Sequence, residues 1–302
     1  MRIALAGDTM LGRKVGEALA HQAPRSLVET ELAELTRDAD LFVLNLECCI
    51  SERGEPVPKA FNFRAPTAAV ETLIHLGVDC VTLANNHALD YGTDALLDTF
   101  EHLRTAGIAW AGAGKTVEEA QSPAVVGGLP IVAFADHERG SAAGAKRPGI
   151  AYTQGIPAWL RERARGALVC PHWGPNMSPS PVAHVRGAAR ELRDARAALV
   201  AGTSAHVFQG VEGNVLYDLG DFLDDYAVDD VLRNDLGLLF FVELETDGPR
   251  RIEAVPLKLD FCFTRLARGD DAAWVRRRFR DACSAFGTEV NEEDGRLVIA
   301  AR

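Results

Sequence analysis

Short apolar runs alternate with amphipathic segments through the first two thirds of the chain. Apolar residues at helical spacing predict helices at 68–76, after Pro66, and at 94–105, where Gly107 ends the pattern. The apolar runs predict strands at 3–6, 41–46, 80–84, 131–135, 167–170, 198–201 and 215–217. This βαβα order is typical of an α/β fold.

The last third of the chain has a different pattern. Two apolar runs at 238–244 and 252–259 flank Thr246-Asp247-Gly248-Pro249, a turn signal that predicts an antiparallel hairpin. A helix at about 271–286 and a strand at 297–300 follow. Mixed strands with helices outside them favour two packed sheets. We expect residues 1–302 to form a single domain, because the Gly- and Pro-rich segments are too short for linkers.

Composition excludes several classes of partner. The 302 residues carry a formal net charge of −11, which would repel a nucleic acid backbone or an anionic membrane surface. The first apolar run is too short for a signal sequence, and no window approaches eighteen apolar residues, so a cytoplasmic location is expected. The six cysteines have no paired metal or redox spacing and are interpreted as reduced core residues.

Polar motifs follow five of the predicted strands. Open α/β sheets place ligands beyond the carboxyl ends of their strands, so these motifs should converge on one spot. The motifs are Gly7-Asp8, Asn45-Leu46-Glu47, Asn85-Asn86-His87, His172-Trp173-Gly174 and Ser204-Ala205-His206. Their carboxylate, amide and imidazole groups predict a metal site.

The motifs differ in how strongly each indicates function on its own. Asp8 alone would be interpreted as a turn or helix cap, whereas Glu47 ends a very apolar strand where a carboxylate needs a cation. Asn86 is expected to be a ligand and His87 a general acid. Asp90 either accepts a hydrogen bond from His87 and sets its tautomer, or caps the following helix.

His172 and His206 are predicted to be imidazole ligands in this company. Asp218 or Asp221 is expected to support a ligand, and Asp229 with Asp230 to be solvated. The other histidines are interpreted as structural or surface groups, because they lack acidic or asparagine neighbours of this type. They are His21, His75, His102, His137 and His184.

The ordered motifs resemble those of the CapA-type capsule proteins, named for poly-γ-glutamate synthesis, which are similar to calcineurin-like metallophosphoesterases. The resemblance runs from Gly7 to about Asp225 and includes Phe61-Asn62-Phe63-Arg64-Ala65-Pro66 and Tyr217-Asp218-Leu219-Gly220-Asp221-Phe222. It implies a four-layer αββα sandwich with two mixed sheets and one or two divalent ions, such as Mn, Fe or Zn. Asp8, Glu47 and His206 would hold the first metal; Glu47, Asn86 and His172 would hold the second.

Two positions depart from the superfamily pattern. Met10 and Ser204 stand where the superfamily usually has histidines, so each metal would have about three protein ligands. Three ligands still suffice for an open catalytic site. The resemblance implies that the change at Met10 is usual for the capsule-type branch and tolerable, so Ser204 is the more consequential change. Three alternatives are open for Ser204: a weak ligand, a residue that holds a ligand water, or the mark of a site that no longer performs dinuclear catalysis.

The leading hypothesis is a hydrolase in which metal-activated water attacks a phosphoester or amide bond of an anionic substrate, and His87 protonates the leaving group. Arg13, Lys59 and Arg64 are the basic residues expected to hold that substrate, a small or polymeric γ-glutamyl or phosphorylated molecule. Two alternatives remain. One is an accessory protein of polymer assembly that binds metal and polymer without turnover; the other is a biosynthetic enzyme that forms or breaks an amide in a small metabolite.

Overall fold

A computed structural model describes residues 1–300, so the last two positions of the expected single domain lie outside it. The helices are α1 (Arg13–Leu19), α2 (Thr30–Arg37), α3 (Ala69–Leu76), α4 (Gly92–Ala106), α5 (Val117–Gln121), α6 (Ala158–Ala164), α7 (Ala183–Asp194) and α8 (Gly269–Ser284), with 3₁₀ turns at Pro24–Leu27 and Arg139–Ser141.

The strands in the first part of the chain are β1 (Arg2–Thr9), β2 (Leu41–Leu46), β3 (Cys49–Ile50), β4 (Arg64–Ala65), β5 (Cys80–Thr82), β6 (Ala109–Ala111), β7 (Ala113–Gly114), β8 (Ala124–Val126), β9 (Leu129–Ala135) and β10 (Gly149–Ile150). Those in the second part are β11 (Leu168–His172), β12 (Leu199–Ala201), β13 (Val211–Glu212), β14 (Val215–Leu216), β15 (Asp221–Leu223), β16 (Leu236–Glu245), β17 (Gly248–Asp260), β18 (Phe263–Leu266), β19 (Asn291–Glu293) and β20 (Arg296–Ala300).

The first large sheet has ten strands and places β1 at its centre. Its main order is β19-β20-β17-β16-β1-β2-β5-β6, with β15 beside β1 and β18 beside β17. Strands β1, β2, β5 and β6 are parallel, and β16 runs antiparallel to β1. The expected hairpin is confirmed, because β16 and β17 pair antiparallel along their length.

The second sheet has six strands in the order β13-β14-β12-β11-β9-β8 and is also mixed. Alternate residues of β9 face opposite sides, as strand geometry requires. Ile131 and Ala133 belong to the core shared with the first sheet, whereas Val132 and Phe134 pack in a second core with residues of α6 and α7. The α/β sandwich of two mixed sheets is therefore confirmed, with helices on the outer faces.

Buried apolar side chains from both sheets form the main core, and the cysteines belong to the interior. All six thiols are free and buried in the described part of the chain. Burial raises the pKa of the Cys49 and Cys170 thiols to about 12. Among residues 1–300, no helix is both long enough and apolar enough to cross a bilayer. The cytoplasmic location stays a prediction.

Candidate metal centre

Asp8 lies at the carboxyl end of β1, where the strand register shifts. Ala6 pairs with Leu44 of β2, but Asp8 pairs with the next residue, Asn45, so the residue between them is a bulge. That residue is Gly7, and a Cβ there would lie 1.8 Å from the carbonyl oxygen of Gly220. The absent side chain lets β15 approach, and Asp8 then pairs in register with Asp221.

Donors surround the Asp8 carboxylate. Asn45 Nδ2 donates to Oδ1 at 2.7 Å, and the Ser204 amide donates to Oδ2 at 3.1 Å. Burial alone would raise the pKa of Asp8, but the hydrogen bond from His206 and the charges of His172 and His206 lower it overall. Asp8 is therefore held as a carboxylate.

Glu47 follows β2 and is fully buried between two histidines. Its Oε1 lies 3.7 Å from His172 Nε2, and its Oε2 lies 4.0 Å from His206 Nδ1. The Tyr226 hydroxyl donates to Oε2 at 3.1 Å, while Oε1 has no hydrogen-bond partner among the described residues. Burial, followed by repulsion from Asp8, raises the pKa of Glu47 well above its ordinary value. A cation would remove this penalty.

His206 lies in the loop after β12, in a left-handed conformation. Its φ is 59° and that of Ser204 is 110°, so two non-glycine residues of this loop occupy strained backbone regions. The ring Nδ1 lies 2.8 Å from Asp221 Oδ1 and 3.3 Å from Asp8 Oδ2. Burial lowers the pKa of His206, but Asp221 and Glu47 outweigh it and raise the pKa well above the ordinary value.

Asp221 carries the second unpaired carboxylate oxygen of the centre, after Glu47 Oε1. Its Oδ2 is buried and has no hydrogen-bond partner within residues 1–300. Burial raises its pKa well above the usual aspartate value, although the neighbouring His206 lowers it. Two unpaired carboxylate oxygens, Glu47 Oε1 near His172 and Asp221 Oδ2 on the partner of His206, indicate a site with an excess of acceptors, as a cation requires.

His172 and Asn86 form the other side of the centre. His172 Nε2 is 2.9 Å from Asn86 Oδ1, and Nδ1 is 2.9 Å from the Thr203 hydroxyl. Burial lowers the pKa of His172 to about 3, so the ring is neutral at physiological pH, as a metal ligand must be. Nε2, the Asn86 oxygen and Glu47 Oε1 thus converge.

The donor set fits the implied metals. Ligand atoms of Asp8, Glu47 and His206 all lie within 4.8 Å of one another. The two oxygens of Glu47 face different imidazoles, which is the arrangement a bridging carboxylate requires. The structure therefore brings together all five residues predicted as ligands; their binding of an ion stays a prediction.

His87 lies beside this centre and is held on three sides. Its Nδ1 is 2.5 Å from Asp90 Oδ2, which resolves the two alternatives for Asp90, since the first residue outside α4 is Tyr91 and α4 has no side-chain cap. The ring stacks on Phe63 with centroids 3.8 Å apart. Lys59 Nζ donates to Asp90 Oδ1 at 2.8 Å and to the Asn86 carbonyl at 2.7 Å. Burial lowers the pKa of His87, against the effect of Asp90.

The two predicted arginines lie in different surroundings. Arg13 pairs with the buried Asp225 at 3.2 Å and lies over the rings of Phe63 and Tyr226, beside the centre. The Arg64 guanidinium instead stacks on Tyr91, 4.1 Å from the ring centroid, and donates to the carbonyls of residues 53 and 54. Arg64 is therefore engaged away from the ligand cluster.

The departures from the superfamily pattern have local explanations. Met10 is fully buried, and its sulfur accepts the Gly12 amide at 3.1 Å. The Ser204 hydroxyl donates to the Gly174 carbonyl at 3.1 Å, while its backbone amide holds Asp8. Ser204 thus contributes to the centre through its backbone.

The sequence indicates the groups around the ligands only in part. Nothing in it points to Tyr226, whereas Asp221 is one of the two residues, with Asp218, expected to support a ligand. His137 was interpreted as a structural or surface group, and it lies close to the centre: Nδ1 lies 2.8 Å from Asp136 Oδ1, and the ring centroid is 5.0 Å from that of His172. The signal was present: Asp136-His137 directly follows β9, a sixth strand end.

This fold and donor set define an α/β protein with a carboxylate–imidazole centre between two sheets. Residues 2–226 match the family described as bacterial capsule synthesis protein PGA_cap, and the chain belongs to that family. The match covers the five motifs and ends at Tyr226.

Curated relatives carry related names. A probable polyglutamine synthesis accessory protein of Mycobacterium tuberculosis is 26% identical over 361 residues, covering 95% of this chain and 92% of its own. The PGA biosynthesis protein CapA of Bacillus subtilis is 26% identical over 313 residues, 97% and 80% of the two chains. The capsule biosynthesis protein CapA of Bacillus anthracis is 23% identical over 282 residues, 86% and 67%.

Proposed function

We propose that this protein is a metal-dependent hydrolase that cleaves a phosphoester or amide bond of an anionic substrate. The observation that carries the proposal is the Glu47 carboxylate, buried with one unpaired oxygen and directed at two imidazoles at once. Asp8 and His206 would complete one ligand group, and Asn86 with His172 the other. A metal bound there would polarise the substrate and lower the pKa of water.

The side chains of the protein perform the remaining steps. As water attacks the phosphorus or carbonyl carbon, the bond to the leaving oxygen or nitrogen breaks, and that atom takes a proton from His87. Asp90 fixes the His87 ring through Nδ1 and balances its charge when Nε2 is protonated. Stacking on Phe63 excludes water from one face of the ring. Arg13 would hold an anionic group of the substrate.

Metal analysis combined with activity screening tests this proposal. Purified protein should contain Mn, Fe or Zn, and should hydrolyse a generic phosphoester such as 4-nitrophenyl phosphate or a γ-glutamyl amide. The variants Asn86→Ala and His172→Ala should lose both metal and activity, whereas His21→Ala, on the surface, should keep both. Protein that binds none of these ions, and that stays inactive when they are added, would refute it.

The second candidate is an accessory protein that binds metal and γ-glutamyl polymer without turnover. It is favoured by Ser204 in place of a histidine and by the word accessory in the name of the mycobacterial relative. Equilibrium binding of poly-γ-glutamate without any release of glutamate would support it, and failure to bind the polymer would remove it. The variant Ser204→His distinguishes the two, because a gain of hydrolysis favours the enzyme.

A further inference from the structure

A cavity of about 850 Å³ adjoins the metal centre on the side of His172. Trp173 and Gly174, which directly follow His172, form part of its wall, together with one face of α7 that presents His184, Gly187 and Glu191. His137 lies at the boundary between the cavity and the metal centre, since it lines the cavity and its ring contacts that of His172. A substrate group bound in this cavity would lie next to the substrate bond positioned at the metal centre.

The wall of the cavity is mostly apolar. Phe134, Trp173, Pro175 and Val182 line it, and the Phe134 and Trp173 rings pack edge to face with centroids 6.3 Å apart. Such a wall favours an apolar or aromatic group over a chain of charged residues.

The charged side chains that line the cavity determine which charge an apolar ligand should carry. Asp136 and Glu191 contribute carboxylates, of which that of Glu191 is paired with Arg161, and none of the lining residues, all within the described range, is lysine or arginine. Asp136 accepts from His137 at 2.8 Å and from His184 at 3.1 Å. The His184 side chain is 64% exposed, so a ligand nitrogen can replace it on the Asp136 oxygen. A carboxylate bound here would find no lysine or arginine among the lining residues, whereas an ammonium group would find the Asp136 carboxylate.

We propose that this cavity binds an apolar, amine-bearing portion of the substrate. The bond that is cleaved then joins an acyl or phosphoryl group to this portion of the substrate, which is not polyanionic. The inference rests on the proposed function for its link to cleavage, but the binding itself does not require turnover. This binding preference distinguishes the chain from a protein whose cavity accommodates successive glutamate carboxylates.

Isothermal titration of the full chain with 2-phenylethylamine and with 3-phenylpropionate tests the proposal, because the two probes share a phenyl group and differ in charge. The amine should bind at least tenfold more tightly than the carboxylate, with or without added Mn²⁺. Gly187→Leu should weaken amine binding at least tenfold by filling the cavity, since a Cβ at Gly187 meets no atom within 4 Å. Arg190→Leu, an exposed position on the same helix, is the matched control and should bind normally.

Asp136→Asn gives the second measurement. It should weaken binding of the amine at least tenfold and leave binding of the carboxylate unchanged or stronger. Equal or tighter binding of 3-phenylpropionate by the unmodified chain, or amine binding unaffected by Gly187→Leu, would overturn the inference. Metal content and hydrolysis measured on the same samples separate the two proposals: hydrolysis without amine binding refutes only the cavity, and amine binding without hydrolysis refutes only the enzyme.

Discussion

The centre contains two histidine–aspartate pairs with similar geometry and different surroundings. His87 Nδ1 lies 2.5 Å from Asp90, and His206 Nδ1 lies 2.8 Å from Asp221. Both oxygens of Asp90 are satisfied, one by Lys59 and the other by the Phe63 amide together with His87. One oxygen of Asp221 is buried without a partner among the described residues.

The difference shows that the partners of the carboxylate, more than the pair itself, decide its chemistry. A carboxylate neutralised by a lysine can hold an imidazole through a proton transfer. A carboxylate crowded by Asp224 and Asp8, with one oxygen unpaired, requires a cation. We therefore assign proton transfer to the His87 pair and metal binding to the His206 pair, and the following predictions test that division.

The largest effect is expected for the proton-transfer pair. His87→Gln should lower kcat about 10²- to 10⁴-fold, because the leaving group loses its proton donor. Metal content measured by elemental analysis should stay at the level of the unmodified protein. Loss of metal together with activity would show that His87 is a ligand, and the two pairs would then share one role.

The two aspartates give the next contrast. Asp221→Asn should lower metal affinity about 10- to 100-fold, because it removes the charge that orients His206. Asp90→Asn should leave metal affinity unchanged and lower kcat. Metal titrations of both variants check this, and the division fails if the two substitutions have the same effect on affinity.

Metal removal should destabilise the protein, and the His206 pair should account for much of the effect. Chelation with EDTA should lower Tm by on the order of 5 °C relative to protein in excess Mn²⁺, since binding to the folded state adds about 2.7 kcal/mol at a hundredfold excess over Kd. The His206→Ala variant should show a much smaller difference in a thermal shift assay. An equally large response in that variant would place the cation elsewhere.

The smallest effect is expected for a third carboxylate, that of Asp98, which lies at the surface. Asp98 accepts from Arg53 Nε at 2.9 Å and from the Ser51 hydroxyl at 2.7 Å. The hydrogen bond from Arg53 lowers the pKa of Asp98 from 3.8 to about 2, the opposite of Asp221. Its stabilising contribution is therefore complete above pH 3.8 and is lost as pH falls towards 2.

Thermal melts of Asp98→Asn check this last point. Tm should be on the order of 1 °C lower than that of the unmodified protein at pH 6, and the difference should shrink as pH falls from about 4 towards 2. A difference that grows at low pH would contradict the assignment of Asp98 as an ionised partner of Arg53.

Much of the fold and all five ligand candidates could be predicted from the sequence, because strand patterns are local and parallel strands end at one edge. The run 41–46 coincides with β2, and the turn at Thr246-Asp247-Gly248-Pro249 joins β16 to β17 as expected. The family resemblance extended this to the grouping of ligands. Neither source indicated where the side chain of Arg64 would lie, since its contact with Tyr91 depends on loop geometry.

The parts that could not be predicted depend on distant pairings. Asp221 joins the centre because β15 lies beside β1, and β15 has only three residues, too few for a pattern. Tyr226 lies beyond it in an irregular segment. His137 lies beside His172 because β9 and β11 are neighbours in the second sheet, which is also a pairing of distant segments.

The central position of β1 has a consequence for biosynthesis. Its antiparallel neighbour β16 and its short parallel neighbour β15 are translated more than two hundred residues later. Until they leave the ribosome, the first strand has one open edge, and Asp8 has neither His206 nor Asp221 beside it. An ion could therefore be bound at this centre only after most of the chain has been synthesised, and a truncated product would expose an unpaired strand edge and lack part of the candidate ligand set.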